Sequence, residues 1–249
     1  MNNHYDLPHT GGPTLPAKLT GRLIQEMRQG CYADCERLPA EVDLAGHFGV
    51  SRSVIRDVLS NLEREGFISR GRGVGTLIQR DIVNLKSRID LKYEYNHLVA
   101  DAGGVPSTDS VKLYEKKADD TMAARLKIEP GEDLLVCEKR ILASGVPVIY
   151  SVDSLPTRLF SHLDYRRLDW ATPVFDLLEG HCGIAVDTDI AVYTPTNATP
   201  EIRQKLQVPE GEALMMVDEV GYYKFNRPIL HACGYYTNYF DFTILRKKF

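Results

Sequence analysis

No run of apolar residues in this 249-residue chain approaches the ~18–20 needed to cross a bilayer. The opening MNNHYDLPHTGGPTLP has neither the basic nor the apolar region of a secretory leader. No membrane partner is therefore expected, the expected compartment is the cytoplasm, and residues 1–14 read as a flexible arm. Cysteine is scarce and unpatterned: Cys31, Cys35, Cys137, Cys182 and Cys233 are odd in number and include no CxxC. That argues against a disulfide framework or a four-ligand zinc site and for buried or idle thiols. Also missing are a metal-ligand cluster, a nucleophile elbow and a phosphate-binding loop, so neither metal, cofactor nor catalysis is called for.

An overall positive charge is missing too, since the net charge is −4. The distribution is uneven, however. Residues 51–80 hold six arginines against Asp57, Glu63 and Glu65, an excess of three positive charges, so the rest of the chain carries an excess of seven negative ones. An acidic body with one basic segment suits a protein that touches phosphate at a single place.

The stretch GVSRSVIRDVLSNLEREGF, residues 49–67, lies in that segment. At 100° per residue Val54, Ile55, Val58, Leu59 and Leu62 share one arc, and Arg52, Ser53, Arg56 and Ser60 the opposite one. Ser51 is suited to cap the helix and Gly66 to stop it, which predicts a helix over 51–65. Alone, its polar face could be an ordinary solvated one. Upstream, Leu19, Leu23, Ile24 and Met27 mark an amphipathic helix ending at Gly30. A second, short helix after Pro39 offers Val42, Leu44, Ala45 and Phe48 for burial, with Gly49 as the turn. Three helices with a tight turn before the third are the order of a helix-turn-helix. FISRGRGVGTLIQ then reads as strand, glycine-rich turn, strand, with Arg70 and Arg72 at the tip.

LPAEVDLAGHFGVSRSVIRDVLSNLEREGFISRGRGVGTLI thus resembles the winged helix-turn-helix of the GntR family of bacterial transcriptional repressors, over residues 15–78. The resemblance implies DNA contacts from Ser51, Arg52, Ser53, Val54 and Arg56 of the third helix and from Arg72 and Gly73 of the wing. Two positions depart from the family: Ala40 stands where a serine is usual, and Val42 where an arginine can contact DNA.

Beyond a polar linker, 79–90, an internal repeat is visible. ARLKIEPGEDLLVCEKR and QKLQVPEGEALMMVDEV align at an offset of 80, pairing Leu126 with Leu206, Gly131 with Gly211 and Leu134 with Leu214. Each copy reads as helix, glycine turn, strand, turn, strand, which predicts a pseudo-symmetric α+β domain over 91–249 on one antiparallel sheet. A cleft between copies favours a ligand. Thr172 and Pro173 look placed to cap a helix whose free amides could hold an anion or simply face solvent. This half resembles the UTRA effector-binding domain of the HutC subfamily, whose fold is like that of chorismate lyase. UTRA domains that bind phosphorylated sugars use two arginines one residue apart, where this chain has Lys139 and Ile141. A regular strand turns Arg140 to the other face. The aromatic residue of the last strand is matched by Tyr236, and Leu230, beside His231, replaces an acidic group.

The implied effector contacts are therefore Lys139, Arg140, Thr172, His231 and Tyr236, with Lys139 readable equally as a solvated strand residue. A small polar or anionic metabolite is expected rather than a sugar phosphate. The function expected is a homodimeric, ligand-responsive repressor on a palindromic double-stranded operator, with the effector acting through the linker. The alternatives are a chorismate lyase-like enzyme fused to a DNA-binding domain, and an architectural DNA-binding protein.

Overall fold

Three helices precede a hairpin in the first part of the chain, in the order their apolar spacing dictates. The computed structural model describes residues 15–71, 73–86, 88–91, 94–224 and 226–247. In it α1 spans Leu15–Arg28, β1 Arg37–Leu38, α2 Glu41–Phe48, α3 Arg52–Arg64, β2 Ile68–Gly71, β3 Gly75–Ile78 and α4 Arg80–Val83. Leu19, Leu23, Ile24 and Met27 of α1, Leu44 of α2, and Ile55, Val58, Leu59 and Leu62 of α3 are all buried. Each such side chain contributes about 1.5–3 kcal/mol on leaving water. The Cα of Gly49, at φ 66°, turns the chain between α2 and α3 in the left-handed region.

Two expectations change here. Val42 is not part of the core: it is 57% exposed. The sheet also has three strands in the order β1-β3-β2, because Arg37–Leu38 pairs with Thr76–Leu77. A two-residue strand has no period to read.

The compact unit that holds these elements also takes in chain beyond residue 78. Among the described residues, 15–85 and 245–247 form one compact unit, and 86–244 the other. Val83 of α4 is fully buried, and Arg28 ties the segment down by donating from Nε to Val83 O (2.8 Å) and from Nη2 to Leu85 O (3.2 Å). Only the later part of the 79–90 stretch is left to connect the units. Near the chain end, the Lys247 ammonium donates to Arg64 O at the end of α3.

The second unit contains α5 (Tyr95–Asp101), β4 (Pro106–Lys117), α6 (Asp120–Leu126), β5 (Asp133–Ala143) and β6 (Val146–Pro156). After them come α7 (Val174–Cys182), β7 (Thr188–Asn197), α8 (Pro200–Leu206), β8 (Ala213–Tyr223) and β9 (Arg227–Tyr236). Its sheet runs β4-β5-β6-β9-β8-β7, antiparallel throughout. The repeat is real and longer than its aligned core, since each copy opens with an edge strand, β4 or β7, before the helix. These edges carry polar and charged residues, such as Lys112, Lys116 and Lys117 of β4, which hides their alternation and blunts the edge. Asp119 and Thr199 cap α6 and α8 by accepting from Met122 N and Ile202 N. Lys127 and Gln207 end those helices at φ 51° and 55°.

Helices α6 and α8 cover one face of the sheet, where Leu134 meets Ala123 and Leu126, and Tyr150 meets Ile202 and Leu206. Helices α5 and α7 cover the other, where Ile141 and Ile149 pack with Val99, and Leu135 and Cys137 with Leu177 and Leu178. Side chains of the central strands therefore alternate between two covered layers.

Candidate nucleic-acid interface and ligand cavity

The third helix starts where its cap requires. Ser51 is extended and its Oγ accepts from Val54 N at 3.4 Å, while lying 2.8 Å from Ser53 Oγ. With Ile55, Val58, Leu59 and Leu62 fixed in the core, Arg52, Ser53 and Arg56 are left exposed on the opposite side and Val54 is half-buried at the margin. Arg56 Nη2 lies 3.3 Å from Glu41 Oε2 on α2, an exposed pair of small energetic worth that a phosphate can displace. Exposed Val42 belongs to the same α2 turn as Glu41. A methyl-bearing side chain thus stands where the family can place an arginine.

The wing is held from both sides. Arg70 donates from Nε to Glu63 Oε2 (2.8 Å) and from Nη2 to Ser60 Oγ (3.1 Å), and its backbone N donates to Glu63 Oε1 (3.0 Å). These bonds draw the Glu63 carboxyl below its ordinary pKa. Arg37 of β1, a position sequence reasoning passed over, donates to Val74 O at the turn (2.9 Å). Gly73 has φ 78°, a conformation costly to any residue with a Cβ. Arg72 lies outside the described residues.

Not every arginine of the basic segment faces outward. Arg80 donates to Met27 O (2.6 Å), Tyr32 O and Cys35 O, closing the loop after α1. Arg70 is held on Glu63, whereas Arg52, Arg56 and Arg64 keep exposed side chains, the last two in exposed pairs with Glu41 and Glu65.

Of the five residues expected to contact an effector, four are on the sheet and divide between its two faces, and Thr172 lies in the loop before α7. Lys139 and Tyr236 share the face covered by α5 and α7, while Arg140 and His231 lie on the α6–α8 face. Lys139 is neither solvated nor open to a ligand. It is 1% exposed, donates to Thr172 O at 2.8 Å and lies 3.8 Å from Asp153 Oδ2, itself buried. Thr172 is not the cap of α7. That helix begins at Val174, and Glu94 Oε1 accepts from Phe175 N at 3.1 Å, so one of the free amides is filled by the chain's own carboxylate.

On the opposite face Arg140 forms a two-pronged pair with Asp109 (Nε–Oδ1 2.8 Å, Nη2–Oδ2 2.6 Å), which lowers the Asp109 pKa. His231 Nε2 lies 2.9 Å from Asp218 Oδ1 and 2.7 Å from Arg125 Nη1, and Arg125 also pairs with Asp218. Burial lowers the His231 pKa against the pull of Asp218. Burial alone would raise the Asp218 carboxyl, but its bonds from Arg125 and His231 outweigh this and bring it below the usual range.

Tyr236 borders a cavity. Its ring meets Phe240 and Phe242 edge-on, with centroids 5.7 and 5.9 Å away, and Tyr193 meets Phe242 at 6.1 Å. These four rings and Val217 line a space of about 40 Å³ whose charged lining residues are Arg88 and Glu219. That volume holds on the order of one or two waters, so a metabolite enters only if the lining moves. Arg88 and Glu219 escaped sequence reading; an arginine in a linker and a glutamate on a strand carry no periodic signal.

Comparison with known proteins agrees with this architecture. Residues 16–78 match the model for bacterial regulatory proteins of the gntR family, and residues 101–239 that of the UTRA domain. The chain is 26% identical over 214 residues to the probable transcriptional regulator PhnF of Escherichia coli, covering 86% of this chain and 87% of that one. It is also 26% identical over 218 residues to the histidine utilization repressor of Pseudomonas putida, covering 83% and 82%. The crystal structure of the possible transcriptional regulator YydK from Bacillus subtilis superposes with a TM-score of 0.72 at 17% identity, over 94% of this chain and all of that one. These relatives are named as regulators, not enzymes. The chain belongs to the GntR family of DNA-binding transcriptional regulators, in the HutC-like branch that joins a winged helix to a UTRA domain.

Proposed function

We propose that the protein acts in the cytoplasm as a homodimeric repressor that binds a palindromic operator and is modulated by a small polar or anionic metabolite in the Tyr236 cavity. The observation that carries the DNA half is the face of α3: Arg52, Ser53 and Arg56 exposed together on a helix whose opposite side is fully buried. Arg52 is the base reader in this reading; Arg56 and the wing contact the backbone, with Gly73 allowing close approach. The effector half rests on Tyr236 and its neighbouring rings, the enclosed apolar surface with charged groups that a small-molecule site requires.

The test is operator binding by Arg52→Ala against a panel of single-base operator variants. Loss of a base reader costs about 1–3 kcal/mol and relaxes choice at one position, whereas loss of a phosphate contact weakens all sequences alike. Unchanged affinity and unchanged specificity in Arg52→Ala would falsify the assignment. Dimerisation is measured separately, by sedimentation of the full chain with and without operator.

A further inference from the structure

The cavity under Tyr236 contains a charged group that cannot be neutralised. Arg88 is 2% exposed, and an arginine does not lose its proton in a protein. Its guanidinium is met by Asp90, with Nε 3.1 Å from Oδ1 and Nη2 2.5 Å from Oδ2. Two parallel bonds of this kind are how arginine receives a carboxylate or phosphate ligand. The carboxylate that supplies them is two residues away on the same turn, closed by Leu91 N donating to Arg88 O at 3.3 Å. Its side chain is 23% exposed while that of Arg88 is 1% exposed, so the carboxylate is the solvent-side member of the pair. The turn is seated by Ile89 N donating to Thr243 O at 2.8 Å.

We propose that Arg88 is the anion-recognising residue of this site and that Asp90 is its resident stand-in for a ligand. The ligand is a small organic anion: its carboxylate or phosphate head takes the place of the Asp90 carboxylate on Arg88, and its apolar body lies among Tyr193, Tyr236 and Phe242. The inference rests on the reading of the Tyr236 cavity as the effector site. For a buried guanidinium the loss of a carboxylate is strongly unfavourable, whereas an exchange of one anion for another keeps the charge matched. Lys139 does not do this work, because it is enclosed with Asp153 and Thr172. The exchange has a regulatory consequence as well. It frees the 88–91 turn, which begins three residues after the division between the two units at Leu85.

Calorimetric titration of the full chain with benzoate and with phenyl phosphate tests this, using Asp90→Asn, Arg88→Gln and Leu98→Trp. Asp90→Asn removes the competing charge and is expected to bind at least one probe about tenfold tighter than the wild type. Arg88→Gln is expected to bind both at least about tenfold more weakly. The probe that gains more from Asp90→Asn identifies the head group. A folded Asp90→Asn protein that binds neither probe, or binds no more tightly than the wild type, overturns the proposal even if Arg88→Gln fails to fold. Leu98→Trp narrows the cavity and separates the two readings. Binding undiminished in Leu98→Trp shows that the cavity is not the site. Binding lost in Leu98→Trp but unchanged in the Arg88 and Asp90 variants removes only the role given to Arg88.

Discussion

The two copies within the UTRA domain share a backbone and differ in what they hold. Caps at Asp119 and Thr199, helix ends at Lys127 and Gln207, and left-handed hairpin residues at Ser144 and Lys224 recur in matching places. Side chains at matching positions have diverged. Lys139 of β5 corresponds to Glu219 of β8. Asp153, paired with Cys137, corresponds to Gly234, paired with Val217. The first copy fills its layer with a buried ion pair. The second has no side chain at Gly234, and the ring of Tyr236 lies over that position: a Cβ added there would come within 2.7 Å of it. Of the two sheet halves it is the one without the pair that lends strand residues, Tyr193, Val217, Glu219 and Tyr236, to the cavity, so conformation at turns and caps is the shared constraint and the layer's chemistry is where the copies diverged.

That contrast can be broken most severely at the ion pair. Asp153→Ala leaves the Lys139 ammonium buried and short of its counter-charge, and removal of one member of such a pair costs about 3–5 kcal/mol. Lys139→Met/Asp153→Leu is expected to recover most of the loss, because apolar residues of similar size dispense with the charges altogether. Urea denaturation followed by circular dichroism measures both. A single mutant as stable as the wild type would mean that the pair is not what closes this half. In the other copy, Gly234→Ala forces the Tyr236 ring aside. Crowding of this kind costs about 1–3 kcal/mol, and the variant is expected to lose effector binding while keeping operator affinity. Retained effector response in Gly234→Ala would detach the cavity from regulation.

How much of this was legible in the sequence follows from the range of the interactions. Helix α3 announced itself because its cap, stripe and stop lie within 16 residues, from Ser51 to Gly66. The repeat was legible because a left-handed or capped position restricts residue type wherever it recurs. Lys139 was misread because its partners, Thr172 and Asp153, are distant in sequence and nothing local distinguishes a buried lysine from a solvated one. The cap expected at Thr172 fails for the same reason: the carboxylate that meets α7 comes from Glu94, 81 residues earlier in the chain. Arg80 reads as surface charge in the sequence, whereas three backbone carbonyls converge on it in the fold. Pairings across a fold leave no period along the chain.

The smallest expected effect concerns the outer face, where each helix reaches across to the other copy. Lys205 of α8 lies 3.7 Å from Glu138 Oε2 on β5, and Tyr150 donates to the same carboxylate at 2.8 Å. Arg125 of α6 pairs with Asp218 on β8, with His231 in the place of Tyr150. The clamps match in geometry but only the second contains an imidazole, whose ordinary pKa is 6.5. Burial lowers the His231 pKa from 6.5, Asp218 opposes that, and Arg125 and Lys116 add to it, with the lowering dominant. The unfolded chain therefore takes up the proton first as pH falls. Stability is full above the unfolded value, declines as pH drops through about 6.5, and levels off below the folded pKa. Asp218 adds a separate loss only near and below its ordinary value of 3.8. His231→Gln should flatten the upper step alone, by less than either substitution on the inner face, in urea midpoints compared between pH 7.5 and pH 5.5. An equal slope in both proteins would place the acid sensitivity elsewhere and leave the two clamps electrostatically alike.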